Sequence, residues 1–329
     1  MLAVHHVRLA YNSVYLVESA GERILIDTGP DYRGAREVLA TATAERPPSL
    51  VVATHGHIDH AGLGHWWQER GTPVALHEED LHYSTGHQLD DEDLMALESF
   101  VRESGAPPEV ETAALAGLAA RRAWARQAVE SRDYRPAGRD AHWPTGLRYE
   151  PFEPARVLVG DEVELAPGMV ALACPGHTPG NLVVVAREEG WLFSGDQLLP
   201  EITPTPAIQR SQSAPGAPWR FRSLPRFLDS LRRIRQLDTR RCYPGHGEPF
   251  EDVAGVIDAN LSQAEQRTAR VHEALSAHSG VSLYALAESL YPRALRKRFW
   301  QIIASVQGHL DVLEEAGLAV AEGGRWASR

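Results

Sequence analysis

The chain lacks several features that would place it quickly. Two cysteines in 329 residues, Cys174 and Cys242, cannot staple a disulfide scaffold. Each sits in an apolar run, where a small buried side chain is the expected role. Lysine is nearly absent: Lys297 is the only one, so the basic total of 33 is otherwise arginine, a bias read as genomic composition. No apolar run approaches the ~20 residues of a membrane helix. The opening MLAVHHVRLAYNSVYLVES alternates like a strand instead of carrying a basic segment and a cleavage site. These shortages point to the cytoplasm and exclude a membrane role. Positive charge is not in excess either. A net charge of -11 repels a polyanion, so a nucleic-acid substrate would need a local basic groove. A hydrophobic content of 43% is ample for a core, and the length predicts roughly two domains.

Against these absences stands HGHIDH at 55–60, four metal-ligand side chains in six residues. The preceding SLVVAT (49–54) reads as a buried strand, and the following AGLGHWWQER has helical spacing. The cluster therefore lies on a strand-to-helix loop, where His55 and His57 face one ion while Asp59 and His60 point to a neighbouring position. Imidazole with carboxylate suits zinc, with manganese or iron as alternatives. Three further strand ends offer ligands beside glycine: ALACPGHTPGN presents His177, WLFSGDQLLP presents Asp196, and RRCYPGHGEP presents His246. Glycine lets the backbone turn sharply there and pack close to a metal. Two cations about 3.5 to 4 Å apart can hold a bridging hydroxide and polarise the bond under attack, which means hydrolysis. Asp59 is placed to orient that nucleophile as well as to bind metal, and is the candidate catalytic residue.

These motifs, in this order, resemble the metallo-β-lactamase superfamily, an α+β, four-layered αββα sandwich with metals at one edge. The resemblance covers roughly residues 1 to 250. It implies two divalent ions: His55, His57 and His177 on the first, Asp59, His60 and His246 on the second, and Asp196 bridging them. It also implies that Asp27, in ILIDTGP, supports the site by orienting a ligand histidine; such supporting partners typically carry about 10- to 100-fold in affinity or activity. The competing reading of Asp27 is a turn residue before glycine.

The remaining sequence bears on the substrate. A helical insertion at about 81–152 is acidic first (DDEDLMALESFVRES) and arginine-rich later (PEVETAALAGLAARRAWARQAVESR). It is expected to cover the site. His82, His87 and His142 read as solvent-facing ahead of pocket residues, and Tyr83, Phe100, Trp124, Tyr134 and Trp143 as packing of the cover or lining of a cleft. The proline-rich 198–221 forbids a regular helix and runs as an arm leaving Asp196; Arg210, Trp219 and Arg220 are its candidates for binding an anionic substrate group. LPRFLDSLRRIRQL (224–237) is spaced as an amphipathic helix.

The boundary falls at a catalytic domain of 1–251 and a C-terminal domain of 252–329, whose order of three helices and a strand pair is that of a winged helix. With GDQLLPEITPTP and the RFLDSLRRI helix, it resembles the β-lactamase-like protein 2 subgroup, which includes a single-stranded RNA endonuclease and polyketide thioesterases. That subgroup often has histidine after the bridging aspartate, where this chain has Gln197. From Ala259 onward the charge balance is +1, against -12 for the rest. Arg293, Arg296, Lys297 and Arg298 read as a solvated helix start ahead of a phosphate clamp. The leading reading is hydrolysis of an ester, thioester or lactone of a small molecule. The alternative is a single-stranded RNA endonuclease, and a flavodiiron-like or persulfide-handling redox protein comes last. A homo-oligomer stays open.

Overall fold

The computed structural model describes residues 2–10, 12–19, 21–85, 91–130, 147–204, 207–210, 219–278 and 280–329. The first sheet is built from β1 (Ala3–Arg8), β2 (Ser13–Ser19), β3 (Glu22–Ile26), β4 (Leu50–Val52), β5 (Val74–His77) and β6 (Arg156–Leu158), in that order across the sheet. The pairings β1 with β2 and β2 with β3 are antiparallel, and those from β3 through β6 are parallel. The second sheet contains β7 (Glu162–Ala166), β8 (Met169–Ala173), β9 (Leu182–Ala186), β10 (Trp191–Gly195) and β11 (Arg241–Pro244). Its first four strands form an antiparallel meander, and β11 lies parallel to β10.

Side chains alternate across each strand, so both sheets bury two faces. Ile24 and Ile26 enter the layer between the sheets with Tyr15, Val52, Leu182, Val184 and Phe193. Leu25 points the other way, into the helices outside the first sheet, α1 (Ala35–Ala42), the single turn α2 (Ile58–Ala61) and α3 (Gly64–Glu69). A short 3-10 turn, Glu78–Asp80, and α4 (Leu81–Ser84) follow β5, and the insertion forms α5 (Asp91–Glu103) and α6 (Pro108–Glu130). Val183, Val185 and Leu192 meet α7 (Ser223–Arg235), whose apolar stripe of Leu224, Phe227, Leu228, Leu231 and Ile234 is buried as its spacing predicts. The layers are therefore αββα.

Beyond this lie α8 (Val253–Ser276), α9 (Leu283–Leu290), α10 (Pro292–Leu295), α11 (Phe299–Glu315) and a hairpin of β12 (Ala319–Glu322) and β13 (Arg325–Ser328). Side-chain caps start two of the helices: Asp252 accepts from Gly255 N–H at 3.0 Å and Ser282 from Ala285 N–H at 3.2 Å. Val271, Leu286, Val306, Leu310 and Trp326 make a core of their own, which Phe100 of the insertion joins. Tyr284 N–H also donates to Ser104 O at 2.8 Å, so the insertion is tied to the C-terminal helices. No helix among the described residues is long and apolar enough to cross a membrane.

Phe193 is fully buried between the sheets and stacks on Tyr243 with ring centroids 4.8 Å apart. Phe193→Ala is expected to cost about 3 to 5 kcal/mol of stability, read as a lowered denaturation midpoint. A loss under about 1 kcal/mol would show that this layer is not the structural centre.

Candidate metal centre

The residues at the sandwich edge arrive from strand ends. β4 runs out through Ala53 and Thr54 into His55, and His57 caps α2, which carries Asp59 and His60. Gly56 is required between them, because a β-carbon there would lie 2.4 Å from the Tyr83 ring. β8 leads to His177 through a loop closed by Cys174 N–H donating to Asn181 O at 2.8 Å. β10 ends immediately before Asp196, and β11 just before Gly245 and His246. A β-carbon on Gly245 would sit 2.7 Å from His60 Cε1 and 2.8 Å from Asp196 Oδ1, so only glycine lets these two strand ends close on the site.

The seven side chains form two clusters. In the first, His57 Nδ1 lies 3.0 Å from His55 Nε2 and 3.1 Å from His177 Nε2. In the second, His60 Nε2 is 3.4 Å from Asp59 Oδ2, from Asp196 Oδ1 and from His246 Nε2. His246 Nε2 is in turn 3.2 Å from Asp59 Oδ2 and 3.4 Å from Asp196 Oδ1. Ligands ~2.0 to 2.1 Å from a tetrahedral ion are themselves about 3.3 to 3.4 Å apart, so the second cluster has the edge lengths such an ion needs. The first is slightly tighter and made wholly of imidazole nitrogens. The donor sets fit divalent metal.

Electrostatics separate the clusters. Burial, with the His177 imidazole beside it, lowers His57 to about 3. Burial also lowers His55 and His177. All three rings are thus neutral, with lone pairs free to bind metal. Burial opposes charge on His60 and His246 too, but the carboxylates outweigh it. Asp59, Asp196 and Asp27 raise His60, and Asp196 and Asp59 raise His246 to about 10. The imidazoles in turn overcome the burial of Asp59 and Asp196, holding both carboxyls down, Asp196 at about 2.

Hydrogen bonds fix the rings. Asp27 Oδ2 lies 2.8 Å from His60 Nδ1, which leaves Nε2 for the cluster, and Oδ1 accepts from Thr54 N–H at 2.7 Å. Asp27 adopts a φ of 66°, unusual for a non-glycine residue and held by its own N–H donating to Val52 O at 2.8 Å. Thr54 Oγ1 stands 3.1 Å from His55 Nδ1.

Asp80 is a positioning residue that sequence reading missed. Fully buried, it accepts from Gly56 N–H at 2.8 Å and Thr178 Oγ1–H at 2.7 Å through Oδ2, and from Gly180 N–H at 2.7 Å through Oδ1. One carboxylate thus joins the HGHIDH loop to the His177 loop. Within HEED it reads as one acid in a solvated run, and no local signal marks it.

A cavity of about 240 Å³ opens beside His57, walled by Tyr83, Leu97, Ile208, Trp219 and Trp300. Gln209 of the arm fastens it, its Nε2 donating to His177 O at 3.0 Å while Tyr83 Oη–H donates to Gln209 Oε1 at 3.1 Å. Of the three candidate substrate contacts, Trp219 lines the cavity. Arg210 does too, but with Asp93 3.2 Å from its Nε. Arg220 is turned away into two 2.6 Å bonds with buried Asp311. His82 lines the cavity instead of facing solvent, Phe100 is buried and Trp124 is exposed. His87, His142, Tyr134 and Trp143 lie outside the described residues.

Cys174 and Cys242 are free and buried, and burial pushes each thiol up to about 12, so they act as packing. Gln197 is buried and donates to Phe227 O at 3.4 Å, away from the clusters. A third group, His65, Glu69 and Glu150, also comes together. There Glu150 is already paired with Arg36 and Arg148, which disfavours a cation.

Residues 7–246 match the model of the Metallo-beta-lactamase superfamily, and the chain belongs to that superfamily. It is 26% identical over 307 residues to the "Probable metallo-hydrolase YqjP" of Bacillus subtilis (strain 168), covering 92% of this chain and 87% of that one. It is 29% identical over 145 residues to a beta-lactamase-like protein 2 homolog of Drosophila melanogaster, 44% of each chain. It is 28% identical over 193 residues to the acyl-coenzyme A thioesterase MBLAC2 of Gallus gallus, 56% of each. The matched region thus spans about half the length of the latter two relatives. A crystal structure of a metallo-beta-lactamase family protein from Thermus thermophilus superposes with a TM-score of 0.68 at 24% identity, covering 100% of this chain and 98% of that one. The resemblance read from the motifs therefore holds, and the chain is a metal-dependent hydrolase.

Two substitutions test the architecture. Asp80→Asn places an amide N–H₂ among converging donors, and metal affinity should fall about 10- to 100-fold in titrations against a competing chelator. Wild-type affinity would show that the two loops hold themselves. Gly245→Ala should lower metal content in elemental analysis of folded protein; full occupancy would contradict the close approach.

Proposed function

We propose that the protein is a dinuclear hydrolase of small-molecule thioesters, with His55, His57 and His177 holding one divalent ion and Asp59, His60 and His246 the other. The observation that carries this reading is Asp196. Its Oδ2 lies 3.5 Å from His177 Nε2 in one cluster, and its Oδ1 lies 3.4 Å from both His60 Nε2 and His246 Nε2 in the other. A carboxylate with one oxygen toward each set is positioned to bridge. The imidazole-rich donor set suits zinc. Two ions held by these residues would supply polarisation of a carbonyl and a lowering of the pKa of water toward ~7.

The protein groups do the rest. Asp59, a member of the second cluster, accepts a hydrogen bond from the attacking water and orients it. Asp27 keeps the His60 proton on Nδ1, away from the reacting atoms. The aromatic and aliphatic walls beside His57 take an acyl group and exclude bulk water. A thiol, with a pKa of ~8.5, then departs as thiolate without needing a strong acid. Similarity to the acyl-coenzyme A thioesterase of Gallus gallus supports the thioester class, and similarity to the probable metallo-hydrolase YqjP supports metal-dependent hydrolysis.

Residues 252–329 are read as a separate winged-helix-like domain whose first role is to wall the cavity through α11, and residues 1–251 as the catalytic domain. Two free buried thiols agree with a cytoplasmic setting.

Metal-reconstituted protein should hydrolyse a panel of acyl thioesters, with activity lost on chelation, restored by zinc and abolished by His57→Ala. Labelled single-stranded RNA should stay intact. If RNA is cut, the cutting is lost in His57→Ala, and every thioester, ester and lactone survives, the endonuclease reading replaces this one.

A further inference from the structure

A second cavity, of about 400 Å³, lies on the far side of α11 from the metal centre, between α7, α8 and α11. Three guanidiniums line it, Arg267 and Arg270 from α8 and Arg298 at the start of α11, and no carboxylate does. In a chain of net charge -11 this is an unusual concentration. Neighbouring arginines are spoken for: Arg222 pairs with Glu314, Arg226 with Glu315 and Arg235 with Asp258. Arg267, Arg270 and Arg298 have no carboxylate partner among the described residues. Arg270 is instead steadied over the Tyr291 ring, 5.5 Å from its centroid. Arg298 occupies the cap position of α11, 17 residues long and without a side-chain cap, where the helix dipole adds positive potential.

The wall behind these charges combines the apolar α7 side chains Leu224, Phe227 and Leu228 with fixed polar groups. His309 is 3% exposed and lines the cavity. Thr268 donates its hydroxyl proton to Ala264 O at 2.9 Å, so its oxygen accepts from His309 Nδ1–H at 2.8 Å, which fixes the ring. Asn260, Gln263 and Ser305 supply further hydrogen-bonding groups. Arginine forks match phosphate oxygens in pairs, and three around one cavity suit an anion of more than one charge.

The two cavities are neighbours. Gln301 lines both, with Trp300 and Ala304 on the side of His57 and Ile302 and Ser305 on the other. The arm makes the same passage, contributing Thr203 and Pro204 to the arginine cavity and Ile208 to Arg210 to the metal-side cavity. We infer that the arginine cavity binds the phosphorylated end of the substrate, so that the thioester presented at His57 is carried by a phosphate-bearing small molecule.

This rests on the thioesterase reading, and the test separates the two. The full chain, loaded with zinc, is assayed with one acyl group carried either by coenzyme A or by unphosphorylated pantetheine, and adenosine 3′,5′-bisphosphate is titrated calorimetrically. The phosphorylated carrier should have a KM about tenfold or more lower. Arg267→Ala, Arg270→Ala and Arg298→Ala should each erode that advantage through KM, leaving kcat and the pantetheine thioester unchanged, with the matching lysine variants retaining part of it. The bisphosphate should bind wild type and weaken in each alanine variant. These arginines are exposed, so unchanged thermal midpoints will show that the variants fold.

Equal KM values for the two carriers, with no bisphosphate binding at millimolar concentration, would overturn the inference and leave thioester hydrolysis standing. Bisphosphate binding that depends on the three arginines, with neither thioester hydrolysed, would keep the phosphate site and sink the thioesterase reading. Single-stranded RNA that displaces the bisphosphate and is cut would overturn the small-molecule carrier in favour of a nucleic acid.

Discussion

The face-to-face packing of the two sheets is the constraint from which the metal centre follows. The candidate ligand residues come from both: His55, His57, Asp59 and His60 follow β4 of the first sheet, while His177, Asp196 and His246 follow β8, β10 and β11 of the second. Neither sheet alone assembles either cluster, since each contains members from both. The layer of Tyr15, Ile24, Val52, Val184 and Phe193 is therefore also what holds nitrogens and carboxylate oxygens 3.0 to 3.5 Å apart at the edge. Close-packed interiors resist displacement, and a metal site tolerates little of it.

That edge brings together groups that would repel or cost energy if buried alone. Five imidazoles and two carboxylates crowd the centre, and fixed hydrogen bonds keep them in register. Asp27 governs one ring from behind, and Asp80 clamps the two loops through three donors. Both of these supporting carboxylates are buried and accept at both oxygens, the condition under which a buried polar group orders its surroundings instead of destabilising them.

The arm and the C-terminal helices give the centre its surroundings. α11 lies between two spaces, one beside His57 with aromatic and aliphatic walls together with Asp93, Arg121 and Arg210, the other lined by three arginines and no carboxylate. Arg220 belongs to this scaffolding: its pairing with Asp311, itself held by Gln307 at 2.8 Å, anchors the arm to α11. The insertion, arm and C-terminal helices thus wall the space beside the two clusters, while the clusters themselves lie at the sandwich edge.

Much of this was legible in consecutive residues. Alternation in SLVVAT and WLFSGDQLLP, the 3.6 spacing of LPRFLDSLRRIRQL and glycines beside each strand-end ligand are local patterns, and backbone geometry turns them directly into strands, a helix and tight turns. Local pattern was enough for the strands, the amphipathic helix and the candidate ligand residues, and the layering followed from the family resemblance that the motifs carry. Which atoms meet was settled by packing. Asp80 lies 98 positions from Thr178 and 100 from Gly180; Arg220 lies 91 from Asp311. Such pairings follow from how sheets and helices come together, and no short-range period in the chain encodes them. The arginine cavity, drawn from α8 and α11, is of the same kind: separate solvated charges along the sequence become one electropositive space only when the helices are side by side.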